Sequence, residues 1–496
     1  IPQCLYLIMI QLIMKISGLK LNVDKTTAMC IGSLKHDECE NTFNLNWTKG
    51  PIHTLGITIS DDPQVIMEEN FMPRLKSIDN ILTIWHSRGL SLKGKVTILK
   101  SLIIPKVLYP MSVLPVPTNV VEIIDNMVID FMWSQRRPKI KRDVIVQEIE
   151  NGGIKVPSFS AMVEANRITW VKRMLYNPKC KWRCILSDLI KPFSLKHFIE
   201  NCLTDETINS IAIPFYVQVF DLWNSLRKAP TSPAEYLEQV IWNNKYIQLP
   251  IAPKKKRCTS ILWPELYSAG IVKVKDLFNY DRSFINLAQF CKERNIACDF
   301  LKVIRVKKAL PVDWVSEIAS QPLLSLTQCT YNLAIKSPQG NIVIHPNVKP
   351  KQIYNQIILK KFIKPTALQR WENAFYIQEE DWLSIFIQPY IATRETTLQS
   401  MQYKFIHAII PCRKWLYTQK IFSDSFCLRC NMNQEDDILH HFVECSGLNE
   451  LWARLEAWWN RTSDSQIRLC DKHIIFGIYY DNHFYSNINY IILLAK

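Results

Sequence analysis

The 496-residue chain is 48% hydrophobic and 11% aromatic with 15 Trp, which excludes a disordered chain and allows about three or four packed units. Only 12 Gly are present, which disfavours an all-β chain built on tight turns and favours helix. The net charge of +15 points to a polyanionic partner, because clustered Lys and Arg gain affinity by releasing counterions from phosphate.

In chain order, Leu5 to Ile13 is an apolar run with no basic residue before it. It is shorter than the ~20 residues that span a bilayer and reads as a buried helix over 4–16, not as a targeting or membrane segment. Ser17-Gly18 stops it, and Leu19-Lys20-Leu21-Asn22 alternates like a short strand. Leu55 to Ile59 reads as another strand. From about 66 to 134 the pattern is helical, with breaks at Arg88-Gly89-Leu90-Ser91 and around Pro110 to Pro117. Over Leu92 to Tyr109 the spacing sets Val96, Leu99 and Ile103 on one face and Lys93 and Lys100 on another. Pro105 is expected to kink or end that helix.

Residues 158–176 read as a further helix. The stretch 185–390 alternates helical patterns with breaks at Pro214, Pro250, Pro253, Pro264, Pro311 and Pro346. Lys254-Lys255-Lys256-Arg257 beside Pro253 reads first as a solvated loop, and second as a nuclear-import or phosphate-binding run. The start without Met and the apolar run Ile491-Ile492-Leu493-Leu494 read as a piece cut at both ends. The 15 Cys come with no secretory signal and suit a reduced, intracellular chain.

Charge is concentrated in one segment. Residues 70–142 carry twelve cations, namely Arg74, Lys76, Arg88, Lys93, Lys95, Lys100, Lys106, Arg136, Arg137, Lys139, Lys141 and Arg142, against Asp79, Glu122, Asp125 and Asp130. That net +8 of the chain's +15 suits a surface that holds a duplex by its phosphates without reading its bases. The densest part is Arg136-Arg137-Pro138-Lys139-Ile140-Lys141-Arg142, and neighbouring Trp133 reads as core before it reads as a stacking surface.

Near the C-terminus, Cys427-x2-Cys430-x9-His440-x4-Cys445 has the ligand types and spacing of a closed structural zinc site, with His441 as an alternative to His440. Glu435, Asp436, Asp437 and Glu444 surround the cluster with only Arg429 opposing them, so phosphate is expected to meet the preceding stretch instead. That stretch, 391–420, holds Arg394, Lys404, Arg413, Lys414 and Lys420 against Glu395.

Ser17-Gly18-Leu19-Lys20-Leu21-Asn22, then Lys25-Thr26, then Leu55-Gly56-Ile57 resemble the end of the palm in LINE-type non-LTR retrotransposon reverse transcriptases, where a lysine-bearing helix-turn-strand precedes the primer-grip hairpin. Trp85, Arg88, Leu90-Ser91, Gly94-Lys95, Lys100-Ser101 and Tyr109 look like that family's thumb. Phe131-Met132-Trp133, Pro138-Lys139-Ile140 and Gly152-Gly153-Ile154 look like the block after it. In the Cys/His region the flanks are Phe405-Ile406-His407 and Pro411 upstream and Trp452 through Trp458-Trp459 downstream. The family pattern favours His440 as ligand, with Phe442 packed beneath.

The resemblance implies a fold that is mainly α with a small α/β part. Residues 1–65 would be the end of the palm with its hairpin, 66–184 a helical thumb and basic block, 185–390 a helical middle region, and 391–496 a C-terminal region with a small zinc-binding module. It also implies an RNA-directed DNA polymerase of the nucleus and cytoplasm, with no membrane attachment, gripping RNA template and DNA primer or target. The candidate contacts are Arg88, Lys93, Lys95, Lys100, Arg136, Arg137, Lys139, Lys141, Arg142, Arg413 and Lys414. Lys25 would steady the leaving pyrophosphate.

The complete family enzyme binds Mg through a strand-borne Asp and an aromatic-Ala-Asp-Asp turn, both upstream of the Ser-Gly-Leu-Lys motif. The paired aspartates here, Asp61-Asp62 and Asp436-Asp437, read instead as a turn or helix start and as part of the Cys/His loop. The chain is therefore expected to grip nucleic acid without binding Mg or polymerising alone. The alternative is a non-enzymatic, zinc-containing nucleic-acid-binding protein derived from a retrotransposon.

Overall fold

A computed structural model describes residues 18, 22, 25–29, 46–48, 50–252, 255–296, 300–320, 333–336, 340–430 and 433–496. The expected helix over 4–16, most of the strand over 19–22, and Lys254 lie outside these residues. Among the described residues the fold is mainly helical with short strand pairs. Strand β1 (Thr27–Ala28) pairs with β2 (Asn46–Trp47), and β3 (Ile52–Thr54) forms a hairpin with β4 (Ile57–Ile59).

The strand expected from Leu55 starts only at Ile57. Leu55 and Gly56 have φ of 49° and 76° and make the two-residue turn itself, since the tight hairpin connection whose twist matches its strands needs left-handed backbone. Asn70 fastens this hairpin to the helices by accepting from the Thr58 N–H at 2.8 Å and donating to the Thr58 carbonyl at 2.7 Å. It closes α1 (Pro63–Asn70), whose N-cap is Asp62, with Oδ1 accepting from the Gln64 N–H at 2.8 Å. Asp61-Asp62 is thus a helix start, as expected.

Helix α2 (Met72–His86) ends at the expected break, and Ser91 caps α3 (Leu92–Ile98). Pro105 does not end the helix. The chain passes through a π-helical segment, Leu99–Ile103, into α4 (Ile104–Val113), and Pro105 falls in the first turn of α4, where its missing N–H removes no ordinary α-helical bond. Val96, Leu99 and Ile103 are buried on one face as their spacing predicts, while Lys93 and Lys100 are exposed. The run Leu92–Val113 is long and apolar enough to cross a membrane by length and composition; its Val96, Leu99, Ile103, Val107 and Met111 pack into the protein core.

Helix α5 (Thr118–Trp133) ends at left-handed Ser134. Helix α6 (Phe159–Tyr176) packs against α7 (Pro214–Leu226) and α8 (Pro350–Lys360). Within α6, Arg167 is fully buried and donates to the Met111 and Leu114 carbonyls at 2.9 and 2.7 Å, with its guanidinium 4.5 Å from the Phe215 ring centre. It satisfies carbonyls that the end of α4 leaves open, and burial pushes its pKa down to about 10. Hairpins β5 (Gln248–Ala252) with β6 (Lys255–Ser260) and β7 (Ala334–Ile335) with β8 (Ile342–Val343) complete this part. One continuous apolar core runs from Ile57 to Ile358 and takes in Tyr403 from the later helix Thr396–Ile406.

A second core, from Leu368 to Phe476, is built on the helix Thr366–Phe375 and on α9 (Asp381–Ala392), α10 (Thr396–Ile406), α12 (Asn449–Thr462) and α13 (Asp471–Phe476), while α11 (Arg413–Thr418) has no buried residue and lies at the surface. Trp371 and Phe405 lie parallel at its centre, 6.5 Å apart, with Phe476 edge-on to Trp371 at 5.6 Å.

The two cores meet where α10 packs on α3 and where the Gly152-Gly153 loop packs on α9. A Cβ on Gly152 would lie 2.8 Å from Phe386 Cζ, and one on Gly153 only 2.1 Å from the Gln147 carbonyl oxygen. The Gly152 carbonyl accepts from His407 Nε2 at 2.9 Å; because a carbonyl can only accept, the buried imidazole carries its proton on Nε2. Gly153→Ala is expected to destabilise by about 3 kcal/mol or more through overpacking against rigid backbone. Gly89→Ala, with nothing within 4 Å of its Cβ, is the control; denaturant midpoints compare the two.

Burial pushes the His407 pKa down to about 4, despite the Gly152 contact. A histidine that resists protonation only when folded stabilises fully above its unfolded pKa, and that stability is lost as pH falls from about 6.5 toward 4. The expected loss between pH 7 and pH 4.5 is roughly 2 kcal/mol, measured as the difference in unfolding free energy at the two pH values. Most of that difference should disappear in His407→Gln.

Candidate metal centre and nucleic-acid interface

Two local structures bring the four Cys/His residues together. A hairpin-like loop holds the first pair: the Cys427 N–H donates to the Gln434 carbonyl at 2.9 Å and the Asp436 N–H to the Ser425 carbonyl at 2.8 Å. A π-helical turn, His440–Glu444, then delivers His440 and Cys445. All four residues are buried, and their ligand atoms lie within 4.8 Å of one another.

Cys427 Sγ and Cys445 Sγ are 3.8 Å apart, and Cys430 Sγ is 3.3 Å from His440 Nε2. A tetrahedral ion with metal–sulfur bonds of ~2.3 Å and metal–nitrogen bonds of ~2.0 Å sets corresponding edges of about 3.8 and 3.5 Å. The donors therefore fit one small tetrahedral ion. The Arg429 backbone N–H points at Cys427 Sγ, 3.3 Å away. Burial raises the Cys427 thiol, but backbone N–H groups of Arg429 and Cys430 with the His440 side chain outweigh it and bring its pKa to about 7. The thiolate, the form that ligates metal, is thereby favoured.

His441 is turned out of the cluster. Its Nδ1 lies 2.8 Å from Asp436 Oδ1 and its Nε2 against Arg429. Asp436 is buried and serves several groups, since Oδ2 also accepts from the Arg413 N–H at 3.1 Å and its carbonyl accepts from the Lys414 N–H at 3.1 Å. Asp436 thus ties the start of α11 to the Cys/His module. Phe442 packs edge-on to Phe405 at 4.8 Å and connects the module to the second core.

Of the expected phosphate contacts, Arg136, Arg137, Lys139, Lys141 and Arg142 are exposed on the segment that leaves α5, with Trp133 buried beneath, as expected. Arg142 Nη2 donates to Asn126 Oδ1 at 2.9 Å and Nη1 is 3.8 Å from Asp125; burial pushes the Asp125 carboxyl up. Among the described residues no carboxylate is ion-paired with Arg136, Arg137, Lys139 or Lys141.

Helix α10 places Lys404 beside this segment. Burial first, then the like charges of Lys404 and Arg136, lower the Lys139 pKa. Lys93 donates to Gln399 of α10 at 2.8 Å. Lys100 falls in another cationic group with Lys155 and Lys351, where burial and those charges lower its pKa. Arg88 is exposed beside Trp85, with its guanidinium 5.8 Å from the ring centre.

For Lys95 the structure corrects the expectation of a phosphate contact. Its ammonium is buried and donates to the Phe131 and Met132 carbonyls at 2.8 and 3.1 Å and to Ser134 Oγ at 2.7 Å. It caps the C-terminus of α5, where a cation complements the helix dipole, and cannot reach phosphate. Arg413 is held by both Asp424 oxygens at 2.9 Å, and Lys414 pairs with Glu435; these two brace the Cys/His module.

Lys25 is exposed, its backbone N–H donating to Asn22 Oδ1 at 3.1 Å. The one cluster of possible metal ligands among the described residues is the Cys/His group, and Lys25 is not part of it. Sequence reasoning does not single out Arg370, which reaches Asp437 at 3.4 Å; it lies in a stretch with no local motif, so only tertiary contact reveals it.

No family model matches the chain. For the metal centre, cobalt(II) titration is expected to give thiolate charge-transfer and tetrahedral d–d bands. His440→Ala should weaken binding more than about a hundredfold, beyond the 10–100-fold typical of removing a group that only supports a ligand, whereas His441→Ala should stay within about that smaller range.

Proposed function

We propose that the chain grips nucleic acid as the thumb and C-terminal region of a LINE-type non-LTR retrotransposon reverse transcriptase, with zinc as the structural ion of its Cys/His module. The supporting observation is the joining of two cationic segments about 270 positions apart, Arg136 to Arg142 and the α10 surface with Lys404, beside four residues arranged for a tetrahedral ion. Exposed cations without carboxylate partners suit a duplex held through phosphate, a contact that tolerates translocation because it reads no base. The motifs from Ser17 to Ile154 supply the family and the RNA template and DNA primer or target as partners.

Zinc in this site would fix the fold, since three thiolates and one imidazole leave no position for water. Cys427, Cys430, His440 and Cys445 would hold it, and Asp436 would carry that order into α11. Gripping is the role assigned to these 496 residues. The cationic surface and the Cys/His module would equally serve a second reading, a non-enzymatic zinc-containing nucleic-acid-binding protein of retrotransposon origin.

Neutralising Arg136, Arg137, Lys139, Lys141 and Arg142 together is expected to weaken binding to an RNA–DNA hybrid. It should also flatten the slope of log affinity against log salt by about 0.9 for each phosphate that is no longer neutralised. Unchanged affinity and slope would overturn the grip. Primer extension by the purified chain is expected to show no template-dependent dNTP incorporation.

A further inference from the structure

Between the basic segment after α5 and helix α11 lies a cavity of about 580 Å³. Its floor is apolar, made by Ile409, Ile410 and Ile438 among others, and its walls carry Lys139, Arg370, Lys414 and Trp415. Trp415 is 41% exposed, so part of its ring is open to a ligand in the cavity. Lys139 Nζ sits 4.7 Å from the centre of that ring. Arg370 and Lys414 are neutralised by Asp437 and Glu435, which leaves Lys139 as the wall cation without a carboxylate partner among the described residues.

We infer that this cavity receives one unpaired nucleotide of a single strand, its base against Trp415 and the apolar floor and its phosphate at Lys139. The inference rests on the nucleic-acid reading above and adds a single-strand site to it. The volume falls in the ~300–1,000 Å³ range of small-molecule sites, too small for a base pair with its backbones. Bases within a duplex have both faces covered by their neighbours, so an aromatic wall rewards only an unstacked base. Because every base has a π-face, such a site tolerates any sequence, as does a phosphate contact. The like charges of Lys404 and Arg136 behind Lys139 add to its attraction for phosphate. RNA and DNA strands share this chemistry.

The test is fluorescence anisotropy of the whole, metal-loaded chain with labelled oligo-dT, oligo-U and a blunt RNA–DNA hybrid. Trp415→Ala is expected to weaken both single strands about tenfold and leave the hybrid unchanged, while Trp415→Phe, which keeps a stacking ring, stays near wild type. Lys139→Gln should weaken the single strands and reduce their salt slope by about one. A 5-iodouracil strand should photo-cross-link to Trp415. Weakening for only one of oligo-dT and oligo-U would assign the site to DNA or RNA. If Trp415→Ala binds single strands like wild type, the pocket is overturned while the nucleic-acid reading stands; if wild type binds neither strand nor hybrid, both fall.

Discussion

The seam between the two apolar cores is the constraint on which the rest of the structure depends. At Gly152 there is no room for a Cβ beside Phe386 of α9, and at Gly153 none beside the Gln147 carbonyl of its own turn, so the backbone at Gly152 packs directly on α9 while Gly153 keeps the turn that presents it tight. His407 then closes the contact through the Gly152 carbonyl from within the second core. Only with this seam shut do α3 and α10 lie together, bringing Lys93 next to Gln399 and Lys139 near Lys404. The cationic surface assembled from distant segments therefore goes together with close backbone packing at Gly152. The electrostatics opposes this arrangement, since like charges repel; the buried apolar area and the exclusion of water at the seam hold it.

The same division of labour separates the charges that build the fold from those left open at the surface. Lys95 and Arg167 are buried, and both satisfy carbonyls at helix ends. Their desolvation is offset by hydrogen bonds that leave little capacity for a ligand. Arg413 and Lys414 are taken up by Asp424 and Glu435 and stiffen the Cys/His module. The cations that keep no carboxylate partner among the described residues are Arg136, Arg137, Lys139 and Lys141 after α5.

Much of this is legible in the sequence where local physics decides. The apolar face of Val96, Leu99 and Ile103, the helix over 158–176 and the Cys/His spacing all follow from periodicity or ligand chemistry, and the structure has them. Pro105 is harder, because whether proline breaks a helix or is absorbed by a π-helical segment depends on the packing around it. Lys95 escapes the sequence for a similar reason: spacing places a lysine on a face, but not against the carbonyl end of another helix. The choice of His440 over His441 is a matter of geometry, settled by the hold of Asp436 on His441. Arg370 and the cavity by Trp415 have no local signal, being made by residues brought together from three parts of the chain.

Presentation of the α10–α11 surface to nucleic acid by an ion-ordered module is tested most directly with an RNA–DNA hybrid. Its affinity is measured across a salt series before and after the metal is removed with a chelator, and again after zinc is restored. Weaker binding and a shallower salt slope are expected without metal, both recovered with zinc. Affinity and slope indifferent to the metal would contradict the role given to the Cys/His module.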